Sequence, residues 1–223
     1  MSLLTSRESK HYINIIAVDP TDQNKNKGMF RISVPEGTPE AIQRDYETPD
    51  KQKGTKWEIR HSKVEGTITN LAFWEGKFGE LIHVTVGDNN ESVTISLGTS
   101  SVYGEDFMKR LPNINLAKVV SFEPYCFEND EKKLIRGITI KQDGKKIENY
   151  YWDTEKKKSL HGGLPEPEGE TEDYTKDDWR IHFLKVRKFL VEQTKKLALE
   201  KFPEVAEPGI EYPTEDSGKH IPF

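Results

Sequence analysis

Apolar residues recur at every second position through the middle of the chain, the period of a half-buried strand. Ile82, Val84 and Val86 share one parity, as do Val93, Ile95 and Leu97, and Val120 with Phe122. With strand-rich composition on either side, this pattern predicts strands over 64–74, 81–86, 93–97, 116–127 and 134–142, the second and third joined around Asn89-Asn90. An Asp143-Gly144 turn leads into a further extended stretch over 145–152. The period changes at 100–111, where Tyr103, Phe107 and Leu111 are spaced by four and Pro112 follows, so a helix is expected there. Alternation places Phe122 inward and Tyr125 and Phe127 outward, and it sets the adjacent Phe73 and Trp74 on opposite sides.

Three strands, a helix and two or more strands is the order of the OB fold, a five-stranded, partly open Greek-key barrel. A mainly β chain with an OB-fold core at 57–153 is therefore expected. Residues 1–56 form an N-terminal extension, with strand-like stretches at 11–18 and 29–34, then a polar connector at 36–56 holding one helical turn near 41–46. The Gly- and Pro-rich stretch 154–174 reads as a linker. At 175–202 an amphipathic helix is expected, capped by Thr175 with Asp178 three residues on and ended by Pro203; Trp179, Phe183, Val186, Leu190 and Leu197 mark its packing face. Residues 203–223 form a proline-rich acidic tail, too polar for a core and expected to be disordered, whose tip is Ile221, Pro222 and Phe223.

Charge sharpens this division. The net charge is −5, but residues 1–54 carry 8 basic and 8 acidic groups and residues 55–160 carry 16 and 16, so the excess lies in the C-terminal part. A neutral body with local basic clusters is compatible with a polyanionic partner, because phosphate binding depends on where Lys and Arg sit. The single cysteine, Cys126, excludes an internal disulfide and a multi-cysteine zinc cluster, and it reads as a small buried hydrophobe. No apolar run approaches the roughly 20 residues of a membrane span, and no secretory h-region opens the chain, so a cytoplasmic protein without a membrane partner is expected.

The residues offer little to catalysis. The six histidines are scattered, and H-E-x-x-H, G-x-S-x-G and Walker A patterns are all absent. Asp177 and Asp178 stand where a helix N-terminus favours carboxylates, which accounts for them structurally. No catalytic residue, metal or cofactor is assigned. Aromatics interleaved with cations give a clearer signal. Trp57 lies near Arg60 and Lys63; Phe73, Trp74 and Phe78 surround Lys77; Tyr125 and Phe127 precede Lys132, Lys133, Arg136 and Lys141; Lys145 and Lys146 precede Tyr150, Tyr151 and Trp152. Single-stranded nucleic acid requires this pairing, since phosphates need cations and unstacked bases need flat apolar platforms. Packing within strands competes for the same rings. The segments 74–79 and 129–133 have the make-up of the two loops an OB fold uses on oligonucleotides.

The acidic run into Ile221-Pro222-Phe223 resembles the C-terminal tip of bacterial single-stranded DNA-binding proteins, departing from it at Lys219 and His220, where that family usually has aspartates. The barrel segment is similar to the single-stranded DNA-binding proteins of tailed phages in the glycine-bounded stretch 79–87, in Ser100-Ser101-Val102-Tyr103, in 111–115, and in 137–146 with Gln142 and Gly144-Lys145. This resemblance implies a non-enzymatic OB barrel that coats single-stranded DNA in replication, recombination or repair, in a bacterial or phage-infected cell. It also implies that the tip recruits replication or recombination proteins and that the tail screens the groove when DNA is absent. A homo-oligomer is compatible with it. Two other readings stay open: a protein-interaction or phage structural module with no DNA binding, and a metal-dependent DNA-processing enzyme or RNA-binding protein.

Overall fold

The computed structural model describes residues 11–16, 28–47, 51–76, 79–87 and 91–203. The Asn89-Asn90 turn, Lys77, Phe78 and the Ile221-Pro222-Phe223 tip lie outside the described residues. In chain order the elements are β1 (His11–Ile15), β2 (Phe30–Val34), β3 (Ile42–Glu47), β4 (Lys53–His61), β5 (Val64–Gly76), β6 (Gly79–Gly87), β7 (Ser92–Gly98), α1 (Val102–Arg110), β8 (Val120–Glu128), β9 (Leu134–Gln142), β10 (Lys145–Lys146), β11 (Trp152–Asp153), β12 (Lys158–Ser159) and α2 (Lys176–Lys201). The protein is mainly β with a C-terminal helix. Ten strands join in one sheet in the order β10-β9-β8-β5-β6-β7-β1-β2-β4-β3, and β11 and β12 form a separate hairpin.

The long strand β5 turns the sheet. Its first residues pair with β8, Val64 opposite Phe122 and Gly66 opposite Val120, whereas Thr67 to Gly76 pair with β6. A bulge between Ile68 and Asn70 divides the two runs, and bulges bend a strand and increase its twist. The bend brings chains close: a Cβ on Gly66 would lie 2.9 Å from the backbone nitrogen of Gly87. The inward parities form the core, with Ile82, Val84, Val86, Ile95, Leu97, Val120, Phe122, Ile138 and Ile140 buried. Phe107, Met108 and Leu111 close it from the helical side, the Phe107 and Phe122 rings 6.2 Å apart.

Hydrogen bonds do not close these strands on themselves. The edge of β7 is taken by β1, which runs parallel to it with Tyr12 opposite Thr94 and Asn14 opposite Ser96, and the edge of β9 by the short β10. Helix α1 bridges the gap. Ser101 caps it by accepting a 3.0 Å bond from the Gly104 N–H. Gly104 packs so tightly on β7 that a Cβ would fall 2.1 Å from the Gly98 carbonyl oxygen, and Asp106 Oδ2 accepts a 3.2 Å bond from the Ile138 N–H of β9.

The N-terminal region differs most from expectation. The helical turn expected near 41–46 is strand β3, and the connector runs into β4, so a boundary at 57 falls inside a strand. Ile42, Arg44 and Tyr46 alternate with Gln43, Asp45 and Glu47 at period two, and pairing of the whole of β3 with Lys53 to Glu58 of β4 outweighs the local turn signals. The extended stretch over 145–152 shortens to β10. The chain then leaves the sheet as Tyr150 N–H bonds the Lys109 carbonyl at 2.8 Å and Asn149 Oδ1 accepts from Tyr151 N–H at 2.9 Å. Within the expected linker lie β12, paired with β11, and a 3-10 turn at Thr171–Asp173.

Helix α2 begins with the expected box: Thr175 accepts from the Asp178 N–H, and the Asp178 carboxylate accepts from the Thr175 N–H at 2.9 Å. Its packing face holds from Val186 onward, where Val186, Leu190, Thr194 and Ala198 are buried. Before that the helix projects, leaving Ile181, Phe183 and Leu184 exposed and the Trp179 and Phe183 rings stacked 5.7 Å apart. Among the described residues no helix is long and apolar enough to cross a membrane.

Candidate functional site

Strand register defines two faces of the sheet. One carries Phe73, Val84, Ile95, Ile13 and Phe30 into the core. The opposite face follows from the pairings Trp74–Leu81, Ala72–His83 and Asn70–Thr85, then His83–Ser96 and Thr85–Thr94, then the β7–β1 pairs Ser96–Asn14 and Thr94–Tyr12, and finally Asn14–Arg31. It continues through Arg31–Arg60 and Ser33–Glu58 to Arg44–Lys56 and Tyr46–Gly54. From Asn70 of β5 across to Tyr46 of β3, the strand positions on this face contain one carboxylate, Glu58, against the cations Arg31, Arg44, Lys56 and Arg60.

Glu58 organises those cations. It is 1% exposed, and three guanidiniums converge on it: Arg44 Nε at 2.9 Å and Arg31 Nη1 at 3.7 Å from Oε2, and Arg60 Nε at 2.8 Å from Oε1. Burial lowers the Arg31 pKa, and the neighbouring Arg44 and Arg60 lower it further against the opposing pull of Glu58. Lys56 is likewise lowered, first by burial and then by Arg44 and Arg31. Arg31, Arg44 and Lys56 alone outnumber the one carboxylate that the outer strand positions supply, Glu58. Tyr46 lies across Gly54, where a Cβ would come within 2.6 Å of its Cζ, with Lys56 Nζ 5.0 Å and the Arg44 guanidinium 6.0 Å from its ring centre.

The aromatics and cations singled out from sequence separate into groups. Trp74 is exposed on the outer face, whereas Phe73 turns inward and packs against the core, with Lys195 of α2 over its ring at 5.0 Å. Lys195 also pairs with Glu80 of β6. Trp57 is half-buried on the opposite side of β4 from Arg60. Tyr125 and Phe127 stand together on β8, rings 5.9 Å apart, Tyr125 half-buried and Phe127 exposed. Tyr151 is buried and meets Phe189 edge-on, which places it in the core, while Tyr150 stacks on His161 at 4.0 Å. Trp152 is exposed on the β11–β12 hairpin.

Several of the cations have carboxylate partners. Lys63 pairs with Glu65 at 2.7 Å, Lys141 with Glu123 at 2.7 Å, and Lys133 with Glu131 at 2.6 Å. Lys132, Arg136, Lys145 and Lys146 are exposed and make no ion pair among the described residues. Asn129 shapes the β8–β9 loop by accepting from the Glu131 and Lys133 N–H groups through its side chain, with Lys132 at a φ of 59°. Cys126 is half-buried and in no disulfide, less enclosed than expected of a core residue.

Arg31, Arg44 and Tyr46 were not among the sequence candidates. Their period-two alternation with Ile32, Gln43 and Asp45 was the available signal, hidden by the turn-forming residues around them. Among the described residues no group of three or more His, Cys, Asp and Glu is placed to hold a metal ion. Compared with family models, curated proteins and solved structures, the chain matches none.

Proposed function

We propose that this chain is a sequence-tolerant, non-enzymatic single-stranded DNA-binding protein of OB type, acting in DNA replication, recombination or repair, with its C-terminal tip recruiting partner proteins. The strand order β9-β8-β5-β6-β7, with α1 between β7 and β8, agrees with an OB topology opened at the seam where α1 lies. The observation that carries the reading is the outer face itself. Flat rings and cations share the side of the sheet away from the core, and Glu58 is the lone carboxylate on its strand positions from Asn70 to Tyr46. Stacking contributes about 1–3 kcal/mol per base, and the cations contribute through counterion release.

One feature favours a protein-interaction module instead: Phe127, Leu134 and Ile135 leave apolar surface exposed at the end of the β8–β9 hairpin. Tryptophan fluorescence separates the two readings. Oligo-dT should quench the emission in a manner reversed by salt, with duplex DNA much weaker and oligo-U as the test for RNA. An unchanged spectrum, with no retention of oligo-dT at low salt, rejects DNA binding. Deleting residues 217–223 should preserve or strengthen oligo-dT binding at low salt while abolishing partner recruitment.

A further inference from the structure

We propose that the outer face of β2, β3 and β4, centred on Tyr46 and the cations Arg31, Arg44 and Lys56, is a phosphate-binding extension that carries a single strand beyond the barrel strands. This rests on the single-stranded DNA reading above and assigns the N-terminal region a part in it.

Three observations converge here. The extension continues the same sheet, so its outer face is continuous with that of β5, β6 and β7; six strand-to-strand steps of ~4.8 Å set β3 roughly 29 Å from β5 across the strands, and Tyr46 is further offset from Trp74 along them. Such a span is long enough to run from one stacking ring to another, and Tyr12 lies between them, edge-on to His83 at 5.4 Å. Charge on the outer positions is uneven along that path. Those of β5 from Asn70 onward, of β6, of β7 and of β1 hold no Lys, Arg, Asp or Glu, whereas on β2, β3 and β4 Arg31, Arg44 and Lys56 gather around one carboxylate, Glu58. Finally, the cations are held in place before any ligand arrives: Glu58 orients three guanidiniums, and Tyr46 lies beside Lys56 and Arg44. Preorganised cations that repel one another gain by accepting an anion between them, and a phosphate is an anion guanidinium groups match well.

The test uses the full chain and two lengths of oligo-dT, one short enough for the barrel strands alone and one long enough to reach Tyr46. Lys56→Gln leaves all three partners of Glu58 in place, and Arg44→Gln with Lys56→Gln removes a second cation. For the long oligonucleotide, the slope of log affinity against log salt should fall by about 0.7 per lost phosphate contact, with affinity down about fivefold per contact at about 0.1 M salt. Binding of the short oligonucleotide should be unchanged. If the unaltered protein binds the long oligonucleotide and both variants match it in affinity and slope, the extension is overturned and the DNA reading stands. Equal losses on both lengths also overturn it. If the unaltered protein binds neither, the DNA reading itself fails and the extension fails with it.

Discussion

Lys195 Nζ sits 5.0 Å from the centre of the Phe73 ring, so α2 lies over the inward-facing member of two adjacent aromatics on β5. Phe73 is covered by the helix, and Trp74, one residue on, is exposed on the other side of the strand. Trp74→Ala should leave stability nearly unchanged and weaken oligo-dT binding by about 1–3 kcal/mol if that ring carries a base. Phe73→Ala should do the reverse, lowering stability by about 2 kcal/mol, below the range for a fully buried phenylalanine because the ring is half-buried. Urea denaturation and fluorescence titration of both variants check this. Full affinity in Trp74→Ala would remove that ring from the site.

Gly104 gives a direct test of how the open side of the sheet is sealed. A Cβ there would lie 2.1 Å from the carbonyl oxygen of Gly98, a backbone atom that cannot rotate away. Gly104→Ala should therefore push α1 off β7 and cost about 1–3 kcal/mol, the usual penalty of overpacking, despite the better helix propensity of alanine. A urea midpoint equal to or above that of the parent would show that α1 is not held there.

Glu58 is the buried counter-ion of Arg31, Arg44 and Arg60, and removing its charge leaves three guanidiniums facing one another. Breaking a buried ionic cluster on one side is strongly destabilising, so Glu58→Gln should cost about 3 kcal/mol, the lower part of the range because Arg31 and Arg44 keep some solvent contact. Replacing Arg44, the most exposed of the three, should cost less. Denaturant melts of the two variants rank them.

Where local signals and long-range pairing agreed, the sequence was enough. The alternation of Ile82, Val84 and Val86 and of Val93, Ile95 and Leu97 identified β6 and β7, and the four-residue spacing after Ser101 identified α1. The Thr175–Asp178 box located the start of α2. Residues 41–56 misled because Pro39, Pro49 and Gly54 carry turn signals that are local, while the pairing of β3 with β4 that makes them extended is not. Stacking candidates fared unevenly for a related reason. Parity separated Phe73 from Trp74 but could not say which faced out, because that depended on α2 returning from more than a hundred residues away to cover Phe73. Tyr151 is a candidate platform in sequence beside Tyr150 and Trp152, where packing competes for the same ring, and it is sealed against Phe189 of the same returning helix.

His83 should make stability depend on pH. Its side chain belongs to the outer face but is enclosed, with the residue 7% exposed and Tyr12 edge-on to the ring, and burial lowers its pKa from the ordinary value. In the unfolded chain the imidazole takes up a proton near pH 6.5, whereas in the folded protein it stays neutral to lower pH. Between those two values the unfolded state binds more protons, so stability rises with pH there and is lost as pH falls from about 6.5 toward the folded pKa. Urea midpoints measured over that window should decline for the parent and much less for His83→Gln, whose side chain keeps polar capacity without titrating. Parallel declines in the two proteins would assign the pH dependence to other groups and leave His83 indifferent to its enclosure.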